Sequence, residues 1–147
     1  EVVVTTTGVG TQTVFEKLTF RVRDSLISDT ATTTTYAVTV ASGTNPYGTG
    51  NKFYINGAVS PTLSLIAGST YIFDQSASSN SGHPLRFSST ANGTHGVGGS
   101  NYTTGVTVTG TPGNAGANTQ IVVSAGAPTL YYYCTNHSGM GGQANTV

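Results

Sequence analysis

The chain has 147 residues, which is enough for one domain with a buried core, or for such a domain with an additional arm. Thr with 27 residues and Gly with 20 dominate the composition, whereas only ten residues are charged and the formal net charge is zero. A chain with so few cations has no electrostatic footprint for nucleic acid or an anionic membrane, so neither is expected as a partner. No run of about 18 apolar residues occurs, and we therefore expect no membrane-spanning helix.

The charged residues are concentrated near the N-terminus, where seven of the ten lie within residues 1–29. In the stretch VFEKLTFRVRD, which begins at Val14, apolar residues alternate with charged ones, and this alternation predicts a strand. Because a single strand is not stable alone, it must pair with this domain, with a neighbouring copy or with sequence outside this chain. We predict that residues 1–35 form an N-terminal strand arm and that residues 36–147 form the main domain.

The main domain consists of short segments rich in Val, Thr and Tyr, separated at regular spacing by turns rich in Gly, Asn and Ser. The Gly68-Ser69 pair predicts a tight hairpin, and residues 91–105 and 110–118 are predicted to be loops. Strands of this number and length fold as a two-sheet sandwich, so the predicted class is all-β. The predicted strands are residues 36–40, 52–55, 62–67, 70–75, 84–88, 106–109, 119–124, 130–134 and 143–147.

The stretch YYYCTNHSGMGG holds the only cysteine and the only methionine of the chain. Cys134, His137 and Met140 follow one another at intervals of three residues, where a predicted strand gives way to a loop flanked by glycines. Thiolate, imidazole and thioether together suit copper, and a second histidine would complete a site of two His, one Cys and a distant axial Met. The motif therefore favours a metal site at the end of this strand.

Two histidines are candidates for the missing ligand. His83, in SGHPLRF, shares a strand face with Leu85 and Phe87, so its side chain is expected at the edge of the core. His95 lies in a glycine-rich loop and is predicted to be a solvated surface residue. Two other interpretations stay open: Cys134 is a small buried hydrophobic residue without a ligand, or cysteine and histidine bind zinc while the methionine takes no part.

The segment CTNHSGM resembles the ligand loop of the cupredoxins, the blue copper domains of the plastocyanin and amicyanin type, in which the loop runs C-x2-H-x(2–4)-M. LSLIAGSTYIFDQ and TQIVVSAGAPTLYYYC are similar to two hairpins of that family, and GMGGQANTV is similar to its closing strand. The resemblance covers residues 52–147 and implies a cupredoxin-like Greek-key β-sandwich. It also implies one type 1 copper ion, with His83, Cys134 and His137 as equatorial ligands and Met140 as the axial ligand.

The strand before the motif has a predicted inner and outer face. Alternation turns Cys134 inward together with Leu130 and Tyr132, and it leaves Tyr131 and Tyr133 outward. In the cupredoxin family a tyrosine beside the cysteine lies at the surface near the electron path. Tyr133 matches that position, so the resemblance implies that it lies beside the ligands on the electron path.

A second resemblance concerns the setting of the domain. The segments SNSGHPLRFS, YTTGVTVTGTPGNAGA and LYYYCTNHSGMGG are similar to modules in structural proteins of marine, especially cyanobacterial, bacteriophages. This resemblance implies a structural or surface module of an extracellular assembly, with a bacteriophage virion as the expected one, and an extracellular or virion-surface location. The partners would be other copies of the chain or other subunits, bound through the N-terminal strand.

Two other functions stay open: a blue copper electron-transfer protein, and a copper-free adhesion or glycan-binding sandwich. An enzyme is not expected. No pair of carboxylates is placed for acid–base work, and no nucleophile-elbow pattern occurs in the sequence.

Overall fold

The computed structural model describes residues 30–147 together with two N-terminal strands. The two strands are β1 (Val2–Thr6) and β2 (Val14–Leu18). Two short 3-10 turns, Ser78–Asn80 and Gly93–His95, are the helical elements of the described part of the chain. The other strands are β3 (Thr33–Asn45), β4 (Gly48–Ile55), β5 (Ala58–Val59), β6 (Leu63–Leu65), β7 (Thr70–Asp74), β8 (Leu85–Ser88), β9 (Val106–Thr109), β10 (Asn118–Val122), β11 (Leu130–Cys134) and β12 (Gly142–Thr146).

Two mixed sheets pack face to face and confirm the predicted all-β sandwich. The larger sheet has six strands in the order β5-β4-β3-β7-β10-β9, and the smaller has four in the order β6-β12-β11-β8. The pairs β3–β7 and β6–β12 are parallel, and the remaining pairs within these two sheets are antiparallel. Parallel neighbours require connections that leave one sheet and return to it, so the chain crosses repeatedly between the sheets.

The core lies between the inner faces of the sheets, and alternation along the strands fills it. In β7, Tyr71 and Phe73 are buried while their neighbours are half-buried. The ring of Phe73 meets that of Phe87 edge-on at 5.2 Å, which joins β7 of the larger sheet to β8 of the smaller one. Each fully buried side chain of this size contributes about 1.5–3 kcal/mol, so such contacts between the sheets hold the sandwich together.

The prediction of a hairpin at Gly68-Ser69 is wrong, because β6 and β7 belong to different sheets. The backbone N–H of Gly68 instead donates to the carbonyl of Val123 at 2.7 Å, and the N–H of Ala67 donates to the carbonyl of Val147 at 2.8 Å. The expected hairpin of residues 119–134 is wrong for the same reason, since β10 and β11 also lie in different sheets. Alternation shows which side chains are buried, and it is the same for strands that pair and for strands that face each other across the core.

A hairpin that the sequence did not indicate joins β3 and β4. Its ladder extends from Val38, paired with Ile55, to Asn45, paired with Gly48. The sequence between residues 41 and 51 is rich in Thr, Gly, Ser and Asn and has no apolar alternation. The prediction therefore covers only residues 36–40 of β3 and 52–55 of β4. The hairpin brings the side chain of Asn45 to the loop that follows β11, where it donates to the carbonyl of Gly139.

The predicted N-terminal strand is confirmed over Val14–Leu18, and the rest of that prediction, residues 19–24, lies outside the described residues. Strand β2 pairs antiparallel with β1, in a register that sets Val2 opposite Leu18 and Thr6 opposite Val14. Its partner within the described strands is therefore another segment of the same chain. Among the described residues, no helix has the length and apolar character needed to cross a membrane.

Candidate metal centre

Three potential ligands meet at one end of the sandwich because β8 begins there and its neighbour β11 ends there. Strands β8 and β11 are antiparallel, and their register places Leu85 opposite Cys134. His83 stands two residues before Leu85, and His137 stands three residues after Cys134 in the loop leading to β12. The ladder therefore brings together residues that are separated by 51 positions along the chain.

The donor atoms of His83, Cys134 and His137 all lie within 4.8 Å of one another. The sulfur of Cys134 is 3.9 Å from Nδ1 of His83 and 3.6 Å from Nδ1 of His137. A metal ion bound at the usual distances, about 2.0 Å to nitrogen and 2.3 Å to sulfur, separates these atoms by about 3.7 Å in a trigonal arrangement. The two measured separations bracket that value, so the cluster could hold a metal ion.

The thiol of Cys134 is fully buried in the core cluster. Burial raises the pKa of the thiol, whereas the backbone N–H groups of Asn136 and His137 lower it to a smaller extent. A metal ion binds the thiolate, so binding at neutral pH must release the thiol proton. The two backbone donors point to the place where the negative charge of a thiolate would develop.

The two histidines differ in exposure. His83 is half-buried, and His137 is exposed at the rim of the site. Burial lowers the pKa of His83, and the neighbouring His137 lowers it further. A lowered pKa keeps the imidazole of His83 neutral near pH 7, which is the form that binds metals. The ring centroids of the two histidines are 4.6 Å apart, which places His137 close enough to add to the lowering of the His83 pKa.

Met140 lies in the same buried cluster as Cys134, and it is 1% exposed. Its carbonyl accepts hydrogen bonds from the backbone N–H of Phe53 at 2.9 Å and from the hydroxyl of Ser60 at 3.1 Å. These bonds attach the residue to β4 and to the segment that follows β5. The structure thus buries Met140 in the same core as Cys134, and its role as an axial ligand stays a prediction.

Gln75 is a buried residue of the site that sequence reasoning missed. Its side-chain Nε2 donates to the carbonyl of His83 at 2.8 Å, and its Oε1 accepts from the N–H of Leu85 at 3.0 Å. The N–H of His83 also donates to the carbonyl of Asn80 at 2.8 Å. These bonds fix the backbone on both sides of the His83 ring. The only signal in the sequence was a glutamine at a predicted strand end, which does not identify its partners.

The loop between Cys134 and β12 is held from the β3–β4 hairpin as well. The side-chain nitrogen of Asn45 donates to the carbonyls of Gly139 at 3.0 Å and Gly141 at 3.2 Å. The ammonium of Lys52 donates to the carbonyl of Gly139 at 2.7 Å. Sequence analysis assigned no role to Asn45 or Lys52, because their partners lie far along the chain. With Met140, three consecutive carbonyls of the loop are hydrogen-bonded.

A second loop, formed by residues 91–105, covers the other side of the ligand loop. The amide of Asn92 accepts from the N–H of Gly139 at 2.7 Å and donates to the hydroxyl of Ser138 at 2.8 Å. His95 is exposed, as predicted, but Nε2 of its ring lies 2.9 Å from the carbonyl oxygen of Cys134. The long loop therefore braces the site.

The burial of Tyr133 contradicts one part of the sequence interpretation. Leu130, Tyr132 and Cys134 belong to the buried core as predicted, and Tyr133 lies outside that cluster. It is nevertheless 1% exposed and is not a surface residue, because the loop of residues 91–105 covers it. Its ring contacts that of His95 edge-on, and its hydroxyl donates to the side chain of Asn101.

Comparison with protein-family models, curated proteins and solved structures found no match. The fold and the site therefore define the protein by themselves. It is an all-β, two-sheet sandwich with a His-Cys-His cluster at one end that could hold a metal ion.

Proposed function

We propose that the sandwich binds one copper ion in a type 1 site formed by His83, Cys134, His137 and Met140. The observation that carries the proposal is the convergence of two imidazole nitrogens and one buried thiol within 4.8 Å. Two histidines and one cysteine with a weak, distant methionine are the ligand set of blue copper sites. Structural zinc sites instead use four strong ligands, and the described residues bring only three together here.

When bound, copper would supply a one-electron couple between Cu(II) and Cu(I). The residues of this chain would hold it in a fixed arrangement. Cys134 would provide the thiolate, the two histidines would provide neutral ring nitrogens, and Met140 would provide the soft thioether. The hydrogen bonds to the backbone around His83 and Met140 support this role, because they fix the segments that carry the ligands.

We further propose that the domain is a structural or surface module of an extracellular assembly, such as a bacteriophage virion. The resemblance to phage modules supports this setting, as does a surface that is poor in charge and rich in Thr and Gly. The N-terminal hairpin of β1 and β2 would pair with the sheet edge of another subunit. Analytical ultracentrifugation of the chain with and without residues 1–29 tests the assembly, and identical monomers would contradict it.

A blue copper electron-transfer role is the second candidate. The exposure of His137 favours it, because a ligand ring at the surface provides a short path for an electron into the site. A copper-free adhesion or glycan-binding domain stands as the alternative to both. The proposal includes no catalytic turnover, since Asp74 is the only carboxylate side chain within residues 30–147.

The proposed site is tested by titrating the purified protein with Cu(II) and recording its visible spectrum. We expect an intense thiolate-to-copper band at one equivalent in the native protein and its loss in Cys134→Ser. The band should persist in His95→Gln, because the His95 ring is not among the clustered donors and its contact with Cys134 is to the backbone carbonyl and not to the sulfur. A folded native protein that shows no band would overturn the copper assignment, and the adhesion alternative would take its place.

A further inference from the structure

Lys52 is the feature of the described domain that the proposed ligand set does not explain. Its side chain is 3% exposed, and burial lowers the pKa of its ammonium group. Nζ donates to the carbonyl of Gly139, the residue before Met140, at 2.7 Å. A bond of this length is typical of a charge-assisted hydrogen bond from an ammonium group.

The sandwich offers the buried ammonium of Lys52 only one acidic side chain as a possible partner. Within residues 30–147 the only carboxylate side chain is that of Asp74, which accepts from the N–H of Ser76 at 2.8 Å. Burying a cation without a paired anion is unfavourable, and natural proteins seldom do so without a reason. The position of Lys52 therefore calls for a role other than ordinary core packing.

The need for a hydrogen bond to Gly139 does not explain why a charged side chain stands at position 52. The carbonyl of Gly139 also accepts from the side-chain amide of Asn45 at 3.0 Å. This oxygen would therefore keep a partner if Lys52 carried a neutral side chain. What the lysine adds is a fixed positive charge beside the loop that carries His137 and Met140.

We propose that Lys52 sets the reduction potential of the metal centre through this buried charge, an inference that rests on the proposed copper site. In a one-electron couple, the metal–thiolate unit carries one positive charge more when oxidised than when reduced. A nearby fixed cation disfavours the more positive form and so favours Cu(I). In a partly desolvated region, a unit charge shifts such an equilibrium by about tenfold or more.

Three substitutions separate charge from hydrogen bonding. Lys52→Met removes the charge and the donor, Lys52→Gln removes the charge and keeps a donor, and Lys52→Arg keeps both. Lys17→Met makes the same chemical change in the N-terminal strand β2 and controls for net charge. For each variant, the reduction potential is measured against a soluble one-electron mediator, and the melting temperature of the metal-free protein is measured in chelator.

We expect the Met and Gln variants to favour Cu(II) by about tenfold relative to the native protein, which is 59 mV for one electron. The Arg variant and the Lys17 control should keep a potential close to the native value. The metal-free Met variant should melt no lower than the native protein, because an apolar side chain replaces a desolvated charge.

The inference is overturned if all variants show the native potential, or if Lys52→Gln behaves like the native protein while Lys52→Met alone differs. Either result would make Lys52 a hydrogen-bonding clamp on the loop. A failure of the copper site itself is distinguishable, because the native protein would then show no thiolate-to-copper band. If only the inference about Lys52 fails, by contrast, the band is present in every variant.

Discussion

Replacing Gln75 by leucine tests whether the backbone around His83 is held as the structure indicates. Gln75 is 1% exposed, and its amide bonds both the carbonyl of His83 and the N–H of Leu85. Leucine is close to glutamine in size but can neither donate nor accept. The substitution therefore leaves two backbone groups without the partners that the native structure gives them.

The expected loss follows from these two groups. Leaving a buried donor or acceptor without a partner costs about 1–3 kcal/mol per group. The greater hydrophobicity of leucine recovers part of this, so we expect a net loss of about 2–4 kcal/mol in the free energy of unfolding. For a domain of this size, at roughly 4 °C per kcal/mol, that loss corresponds to a melting temperature lower by about 8–16 °C.

Urea unfolding of the metal-free protein measures the loss directly, and a metal competition assay measures the consequence for the site. Copper affinity should fall by about tenfold or more, because the backbone that carries His83 is no longer fixed. Gln143→Leu is the matched control, since Gln143 is half-buried and its side-chain nitrogen donates to the side chain of Asn145. We expect the control to cost less than about 1 kcal/mol. Equal stabilities for the two variants would refute the reasoning.

Two further outcomes follow from the same region. Gly93→Ala should destabilise the covering loop and increase the exposure of Tyr133 to a fluorescence quencher. The reason is that Gly93 has a φ of 58° and a Cβ there would overlap the ring of Tyr133. Unchanged quenching would contradict this. Acid should destabilise the metal-free protein. The pKa of His83 in the folded state lies below its ordinary value of 6.5, so the unfolded state binds a proton there more readily. The contribution of His83 to stability is therefore fully present above pH 6.5 and is lost as the pH falls below 6.5. Melting temperatures between pH 8 and pH 5 measure this loss, and His83→Gln should show a shallower decline; an equal decline in both proteins would assign the effect to other groups.

Much of the local structure could be predicted from single stretches of sequence. Strands β9 and β11 begin and end where alternation placed them, and the inward direction of Cys134 is confirmed. The ligand spacing around Cys134 and His137 and the choice of His83 over His95 as their neighbour also agree with the cluster in the structure. These features depend on the burial and spacing of individual side chains, which the local sequence pattern indicates.

The pairing of strands could not be predicted in the same way. The segment around Gly68 resembled a hairpin, yet it crosses from one sheet to the other. Paired strands and facing strands bury the same alternate side chains, so the pattern alone does not distinguish them. The covering of Tyr133 was missed for a related reason, because a loop rich in Gly and Asn carries no periodicity to show where it packs.

By itself, the sequence determined the all-β class, the short strands and the cluster of soft ligands at a strand end. Only the tertiary structure decided how that cluster is held. Gln75 reaches His83, and Lys52 reaches Gly139 across 87 positions of the chain. The physical reason is that a side chain's burial follows from its own polarity and its neighbours' pattern. The partner of a buried polar group is chosen by the packing of distant segments, and no local pattern contains that choice.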